Sequence, residues 1–360
     1  MSTKKAKPIS IFFILSAVFT LASYVLLRVS VGNYAVADAA DGKIGAVIRK
    51  AVGCVSDLVP FSVFELVIAL IPVFLASYIF LAVRAFKRGR KCRFLLHTLS
   101  VVGVVYALFI LSMGIAYHKT PIENKMELNS DPQISAESLR ETLEIIIPEI
   151  NELSEKVAFK NGESRMEYGM DELSKKLSVA YSSVSDENSL FAKTESRAKP
   201  VFFSSIMSYF RITGIYTFYT GEANINMSYP DYNLPFTVAH EFAHRRGIMR
   251  EDEANFVAFL VCISSDDDFI RYSGYLNMFE YLSTSLYKTD KDVWYSVAKT
   301  LNTQSMSDIE ASNAVTRRYA DTVVGNISSD VNDFYLKQNG TEGTVSYGLV
   351  TRLAVAYYKK

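Results

Sequence analysis

The sequence predicts a mainly α protein, with three transmembrane helices followed by a water-exposed α+β domain that has a small sheet and a C-terminal helical subdomain. Three observations predict it. Three apolar stretches near the N-terminus are each long enough to cross a bilayer. Charge is divided along the chain. Residues 1–120 carry 14 basic and 4 acidic side chains, whereas the other 240 carry 24 and 34, although the 360 residues together are neutral. Such asymmetry marks two parts in different surroundings. Beyond residue 135, apolar residues recur mostly at helical spacing, with one stretch rich in Tyr, Thr and Ile. The balance of 38 basic and 38 acidic residues excludes a globally basic nucleic-acid binder. Three scattered cysteines, Cys54, Cys92 and Cys262, are too few for a disulfide framework or a cysteine-rich zinc site.

The membrane portion, 1–117, contains Ile9–Leu27, Val63–Val83 and Phe94–Ala116. The only ionisable residues within them are Glu65 and His97, both near an end. Lys4, Lys5 and Lys7 precede the first span, and Arg84, Lys87, Arg88, Arg90, Lys91 and Arg93 lie between the second and third, with no acid among them. The positive-inside rule places both clusters in the cytoplasm, so everything after Tyr117 is expected outside it, in a multi-pass protein of the cell membrane. The first span also has signal-peptide features, with Ala35-Val36-Ala37 downstream. Its apolar run is too long and the triplet too distant, which favours an uncleaved helix. Between the first two spans, Ile44, Val47, Ile48, Ala51 and Val55 form an amphipathic pattern. A short helix on the outer membrane surface explains it, and a docking surface for the outer domain is the alternative.

Residues 118–135, polar and holding Pro121 and Pro132, read as a linker to the outer domain, 136–360. Ser135–Phe159, with Pro148 inside, and Met170–Val184 have helical periodicity, while Asn161–Ser164 and Ser185–Pro200 read as loops. Ile212–Met227 reads as a hairpin or two short strands interrupted by Thr220-Gly221. Leu234 to about Gly247 is expected to be a helix with Pro235 in its first turn. From Arg250 the chain reads as helical almost to its end, with breaks near 264–268, 288–291 and 338–343.

Chemistry concentrates at 240–244, His-Glu-Phe-Ala-His, which uses two of the four histidines. On a helix, positions i and i+4 share a face, so both imidazoles can bind one Zn²⁺. Glu241 projects beside them, where it can take a proton from water as general base. This is the His-Glu-x-x-His arrangement of zinc metallopeptidases. Small or apolar neighbours, Thr237-Val238-Ala239 and Phe242-Ala243, suit a buried site helix, and Gly247 stands where that helix can end.

A catalytic zinc usually takes three protein ligands, so a third is needed. The metzincin pattern would require a histidine where Arg250 stands, and that reading fails. Glu251-Asp252-Glu253-Ala254-Asn255 resembles the Glu-x-x-Ala-Asp/Asn helix of gluzincin-type peptidases. The resemblance implies Glu251 as ligand and Asn255 as the residue orienting a histidine. Helix geometry leans the same way. Glu251, Ala254, Asn255, Ala258 and Cys262 form a small or polar face, while Glu253, Phe256, Val257 and Leu260 form a bulky one; Glu253 stays as the alternative. Only six residues separate His244 from Glu251, so a tight turn at Gly247 must bring the second helix straight back.

Gly221–Met227 resembles the edge strand that precedes the metal helix in zincins and holds extended substrates. Arg271, Tyr272 and Tyr275 are candidates to stabilise an oxyanion, against ordinary packing. Asp268 is expected to cap a helix. The whole pattern resembles a bacterial family of the domain-of-unknown-function type. Its members have three N-terminal spans and a zincin-like domain with a His-Glu-x-x-His-x-x-Gly helix and a Glu-x-Glu-Ala-Asn-Phe segment. The resemblance implies a membrane-anchored, zinc-dependent metallopeptidase site, acting on peptide or protein segments near the membrane surface. Its partners would then be that substrate and the lipid bilayer, with no nucleic acid. The rival expectation is a non-catalytic membrane sensor or scaffold that keeps the fold.

Overall fold

A helix satisfies its own backbone groups, so a run of apolar residues can cover its surface completely. The chain, described by a computed structural model over residues 10–129, 132–188, 191, 194–320, 322–339, 341 and 347–360, does this three times. It runs through α1 (Ile11–Ser30), α2 (Tyr34–Ala40), α3 (Ala46–Ser56), α4 (Val63–Lys87) and α5 (Lys91–Phe109), with further helical turns carrying α5 on to His118. Helices α1, α4 and the extended α5 are long and apolar enough to cross a membrane. No residue of α4 is buried by protein. Helices α1 and α5 pack through small residues: Ser16, Ser23 and Ser100 are buried, and a Cβ at Gly103 would stand 2.7 Å from Thr20 Oγ1. The hydroxyls of Ser16, Ser23 and Ser100 donate to carbonyls of their own helices.

The rest of the chain follows as α6 (Ile122–Lys125), α7 (Ala136–Ser154), β1 (Ala158–Lys160), β2 (Glu163–Arg165), α8 (Met170–Asn188), β3 (Ala198–Val201), α9 (Ser204–Tyr209), β4 (Gly214–Thr217) and β5 (Glu222–Asn226). Then come α10 (Asn233–Arg245), α11 (Glu251–Ile263), α12 (Asp268–Thr289), α13 (Lys291–Ala298), α14 (Thr303–Arg318), α15 (Val323–Gln338) and α16 (Tyr347–Tyr358). The core lies between α7, α8, α10, α11, α12 and α16, with Leu143, Phe242, Phe256, Leu276 and Leu353 among its buried side chains. One small sheet has the order β3-β5-β4, parallel then antiparallel, and lies against α10.

Several boundaries differ from the sequence reading. Residues 161–164, read as a loop, contain the turn of the β1–β2 hairpin and the first two residues of β2. Asn161 and Gly162 have φ of 57° and 86°, the left-handed pair that a two-residue hairpin requires. The supposed linker carries α6, and its Ile122 and Leu128 are buried. The cap of α12 is Asp267, not Asp268: its carboxylate accepts from Ile270 N. Further helix breaks follow Ala298 and Arg318, and Asn302 and Thr322 cap the next helices. Segment 221–227 is not an edge strand. β5 is the middle strand and β4 takes the edge.

Buried polar clusters fasten the sheet and α10 to the helices from the membrane portion. Lys199 donates to Ser56, Val59 and Phe61 carbonyls, at the end of α3, and to Glu222 Oε1 at 3.0 Å. Glu222 accepts the Val63 and Phe64 amides at the start of α4. Each charge thus meets the helix terminus of opposite polarity. Arg49 on α3 pairs with Asp41 and donates to the carbonyls of Ser112 and Arg245, while Lys119 bridges Asp41 to the Gly247 carbonyl. The α3 pattern therefore has two faces. Arg49 and Gly53 face Arg245 at the end of α10, while Ile44, Val47, Ala51 and Val55 are exposed.

Candidate metal centre

Helix α10 carries His240 and His244 one turn apart, and the chain after it determines how they face. The helix ends in a Schellman turn: Ile248 N donates to Ala243 O and Gly247 N to His244 O, with Gly247 at φ 85°. Only glycine fits there, since a Cβ would collide with the Arg49 guanidinium and stand 2.7 Å from Asp41 Oδ2. The same turn brings Ile248 O to 2.8 Å from His244 Nδ1. That contact leaves Nε2 free and orients the ring. Helix α11 then starts at Glu251 and packs back on α10, as the short spacing requires.

The result is a compact donor set. His240 Nε2 and His244 Nε2 are 3.0 Å apart, Glu251 Oε2 is 3.2 Å from His240 Nε2, and Glu251 Oε1 is 3.6 Å from His244 Nε2. Ligands at about 2.0–2.1 Å in a tetrahedron around zinc stand about 3.3–3.4 Å from one another. These separations, two of them to different Glu251 oxygens, scatter around that edge, and one ligand atom from each residue lies within 4.8 Å of the others, so the three residues can share one small cation. Among the described residues, this is the group of His, Cys, Asp and Glu side chains close enough to share an ion. Glu253 points elsewhere: its carboxylate accepts from Ile122 N at the start of α6 and pairs with Arg250 at 2.7 Å. Asn255 is buried close enough to His240 to favour its protonated form, while His240 Nδ1 has no hydrogen-bond partner.

Electrostatics in this pocket are severe. Burial pushes Glu241 up to about 8, against the opposing pull of His240 and the Tyr216 backbone amide, and its Oε2 has no partner. Burial alone would lower both histidines. His244 is held well below its usual range, whereas the Glu251 carboxylate reverses the shift at His240 and is itself pulled down by the imidazoles. Two imidazoles and two carboxylates sharing one cavity is an arrangement that a divalent cation would relieve.

Strand β4 lies directly over Glu241. A Cβ at Gly214 would stand 2.6 Å from Glu241 Oε1 and 2.8 Å from Thr237 Cγ2, so glycine permits the close approach. Asn226 N donates to Thr213 O, which fixes the alternation of the β4–β5 ladder. The amides and carbonyls of Gly214 and Tyr216 therefore point away from β5, towards the free edge. Sequence reasoning missed this strand's role, and also a pair of tyrosines. Tyr117, at the end of the third apolar helix, donates its hydroxyl to Tyr335 of α15 at 3.2 Å. The Tyr335 hydroxyl is raised by burial and, in smaller part, by the Glu251 charge. No local signal links residues 218 positions apart.

The other candidates lie elsewhere. Tyr272 donates to Asp308 and Ser305, Tyr275 packs on Phe259, and Arg271 pairs with Glu149 and Asp268. These are packing and surface contacts, the alternative that the sequence reading set against an oxyanion role. Helix α16 packs on α11 and α12 behind the site. No curated protein and no solved structure is significantly similar to the chain. The model of a family described as a protein of unknown function (DUF3810) matches residues 43–355, from the turn before α3 into α16. The match takes in most of the membrane portion and every residue of the metal centre, and the chain belongs to this DUF3810 family.

Proposed function

We propose that this protein is a membrane-anchored, zinc-dependent metallopeptidase with its active domain outside the cytoplasm. One observation carries the reading: His240, His244 and Glu251 each offer a ligand atom within 4.8 Å of the others, and Glu241 is buried beside them with its Oε2 unpartnered. Zinc held there would supply a Lewis acid that makes water nucleophilic near neutral pH and polarises a carbonyl. Glu241 would accept the proton of the attacking water and deliver it to the leaving amine. The outward main-chain groups of Gly214 and the Tyr216 carbonyl would pair with an extended peptide and lay it across Glu241. The basic clusters flanking α1 and α4 support a cytoplasmic N-terminus, and the packing of α1 along α5 supports a retained first helix.

The test is zinc content of the detergent-purified full-length protein. Wild type should hold about one zinc per chain, lost in His240→Ala and Glu251→Gln and kept in Glu253→Gln. Folded wild type that stays zinc-free when zinc is supplied would overturn the proposal. With zinc in place, Glu241→Gln should keep the metal and lower peptide hydrolysis by about 10²–10⁴-fold. Zinc retention with no wild-type turnover on any peptide would instead favour the sensor or scaffold.

A further inference from the structure

Helices α9 and α15 expose a large apolar surface that the core does not explain. On α15, Val324, Ile327, Val331 and Phe334 recur at steps of three, four and three, and all are exposed. They form one stripe of the helix. Leu336 and Gly325 face the protein, and Asn326, Asp330, Asp333 and Lys337 lie on a third side, roughly 110° round the helix from the stripe. The helix is therefore three-sided: protein, water and a third, apolar surrounding. Beside it, α9 and its flanks expose Phe202, Phe203, Ile206, Tyr209 and Phe210, with Phe202 85% accessible. The two elements form one unit. Thr322 donates to Tyr209 O, Arg211 to Asn326 and to the Ala320 carbonyl, and the rings of Tyr209 and Tyr319 meet edge to face.

The surface is continuous with that of the apolar helices. Glu65, in the first turn of α4, accepts the amides of both Phe202 and Phe203, so these phenylalanines are tied to the helix where its exposed apolar surface begins. At the other end, Tyr335 of α15 packs edge to face on Phe109, where α5 passes from exposed side chains into buried ones. The aromatic ring of Phe218 touches the same Phe109. Soluble surfaces rarely leave so many large apolar side chains together. We infer that the apolar face of α9 and α15 is seated in the outer leaflet of the bilayer, as an interfacial element that rests on the membrane beside α4 and α5. Such helices sit with their apolar face about 5–10 Å into the boundary between headgroups and acyl chains. Because α15 also carries Tyr335, its hydrogen-bonded pair with Tyr117 would lie beside the membrane boundary.

Site-directed fluorescence in nanodiscs of phosphatidylcholine and phosphatidylglycerol tests this, since both faces of a nanodisc are open to solvent. The exposed Cys54 and Cys92 are replaced by serine and the buried Cys262 is kept. An environment-sensitive fluorophore is placed through Phe203→Cys, Ile327→Cys, Val331→Cys or Asp330→Cys, and through Leu75→Cys in mid-α4. Lipids with a nitroxide high on the acyl chain should quench the probes at 203, 327 and 331 several-fold more than the probe at 330, while aqueous iodide should show the reverse order. Equal iodide quenching at 327, 331 and 330 would overturn the inference. So would shielding from iodide without lipid quenching, which would mean that a second protein covers the face. The probe at 75 separates these results from failure of the membrane reading itself, in which case it too would escape the lipid quencher.

Discussion

Two sets of buried charges lie close together in the structure, and they are built in opposite ways. In the fastening clusters almost every group is satisfied. Lys199 finds four acceptors, Glu222 binds two amides and an ammonium, and Asp41 pairs with both Arg49 and Lys119. In the candidate metal centre, His240 Nδ1 and Glu241 Oε2 are buried without partners, and two imidazole nitrogens face each other at 3.0 Å. A buried polar group left unpaired costs on the order of 1–3 kcal/mol. Single unpaired atoms also occur elsewhere, at Ser164, Arg165, Tyr216, Asn233, Arg245 and Arg250, so the contrast lies in the combination: in the candidate metal centre two of them stand with three groups placed to share an ion.

The largest effect should come from the satisfied side. Lys199 and Glu222 are both fully buried. Removing one charge strands the other, at about 3–5 kcal/mol. Glu222→Gln and Lys199→Met should each lower thermal stability in detergent by an amount of that order. An unchanged melting temperature in both would show that the pair holds nothing together. Gly247→Ala comes next. A left-handed φ costs a non-glycine residue roughly 1–3 kcal/mol, and here the new methyl also meets Arg49 and Asp41. Gly89 has φ 66° and open space where the methyl of an alanine would stand, so Gly89→Ala should incur the strain alone. A larger loss at 247 than at 89, with weaker zinc retention only at 247, would tie the Schellman turn to the orientation of His244.

The pH dependence of the fastening follows from Asp41. Burial pushes its carboxyl up, but Arg49 and Lys119 outweigh burial and hold it below the usual carboxylate range. A folded pKa below the unfolded one means that the unfolded chain takes up the proton first. Asp41 therefore contributes its full stability above about pH 4, and loses it as pH falls through the lower folded value. Unfolding followed between pH 6 and 3 should show a steeper acid loss in wild type than in Asp41→Asn. Parallel profiles would mean that Asp41 does not sense its partners.

These two kinds of cluster are unequally legible in the sequence. His240, Glu241, His244 and Glu251 fall within twelve consecutive residues, where helix periodicity and one glycine decide the geometry. That is local information, and the donor set can be read from it. Lys199, Glu222, Arg49 and Asp41 come from separate segments, and their pairing depends on tertiary packing that no pattern announces. The edge strand shows the limit within one segment. Residues 212–227 read as two strands, but which of them is the edge depends on β3, which approaches from residues 198–201 and pairs with β5. The β1–β2 hairpin has a local signal in Asn161-Gly162, but strands of three residues are too short for alternation to show.

The smallest predicted effect is the most discriminating, because it repeats a substitution already made. Glu222→Gln and Glu241→Gln both replace a buried carboxylate by an amide of the same shape. At Glu222 the amide cannot replace the charge that Lys199 requires, and it brings two donors among groups that already donate. At Glu241 the carboxylate has an unpaired Oε2 and lies beside a second carboxylate, Glu251, so neutralising it removes a cost of burial. Metal-free Glu241→Gln should therefore melt within about 1 kcal/mol of wild type, or above it. If it instead loses as much stability as Glu222→Gln, Glu241 is a structural anchor and the contrast between the two clusters fails. If stability holds while peptide hydrolysis disappears, the unpaired oxygen is kept for chemistry.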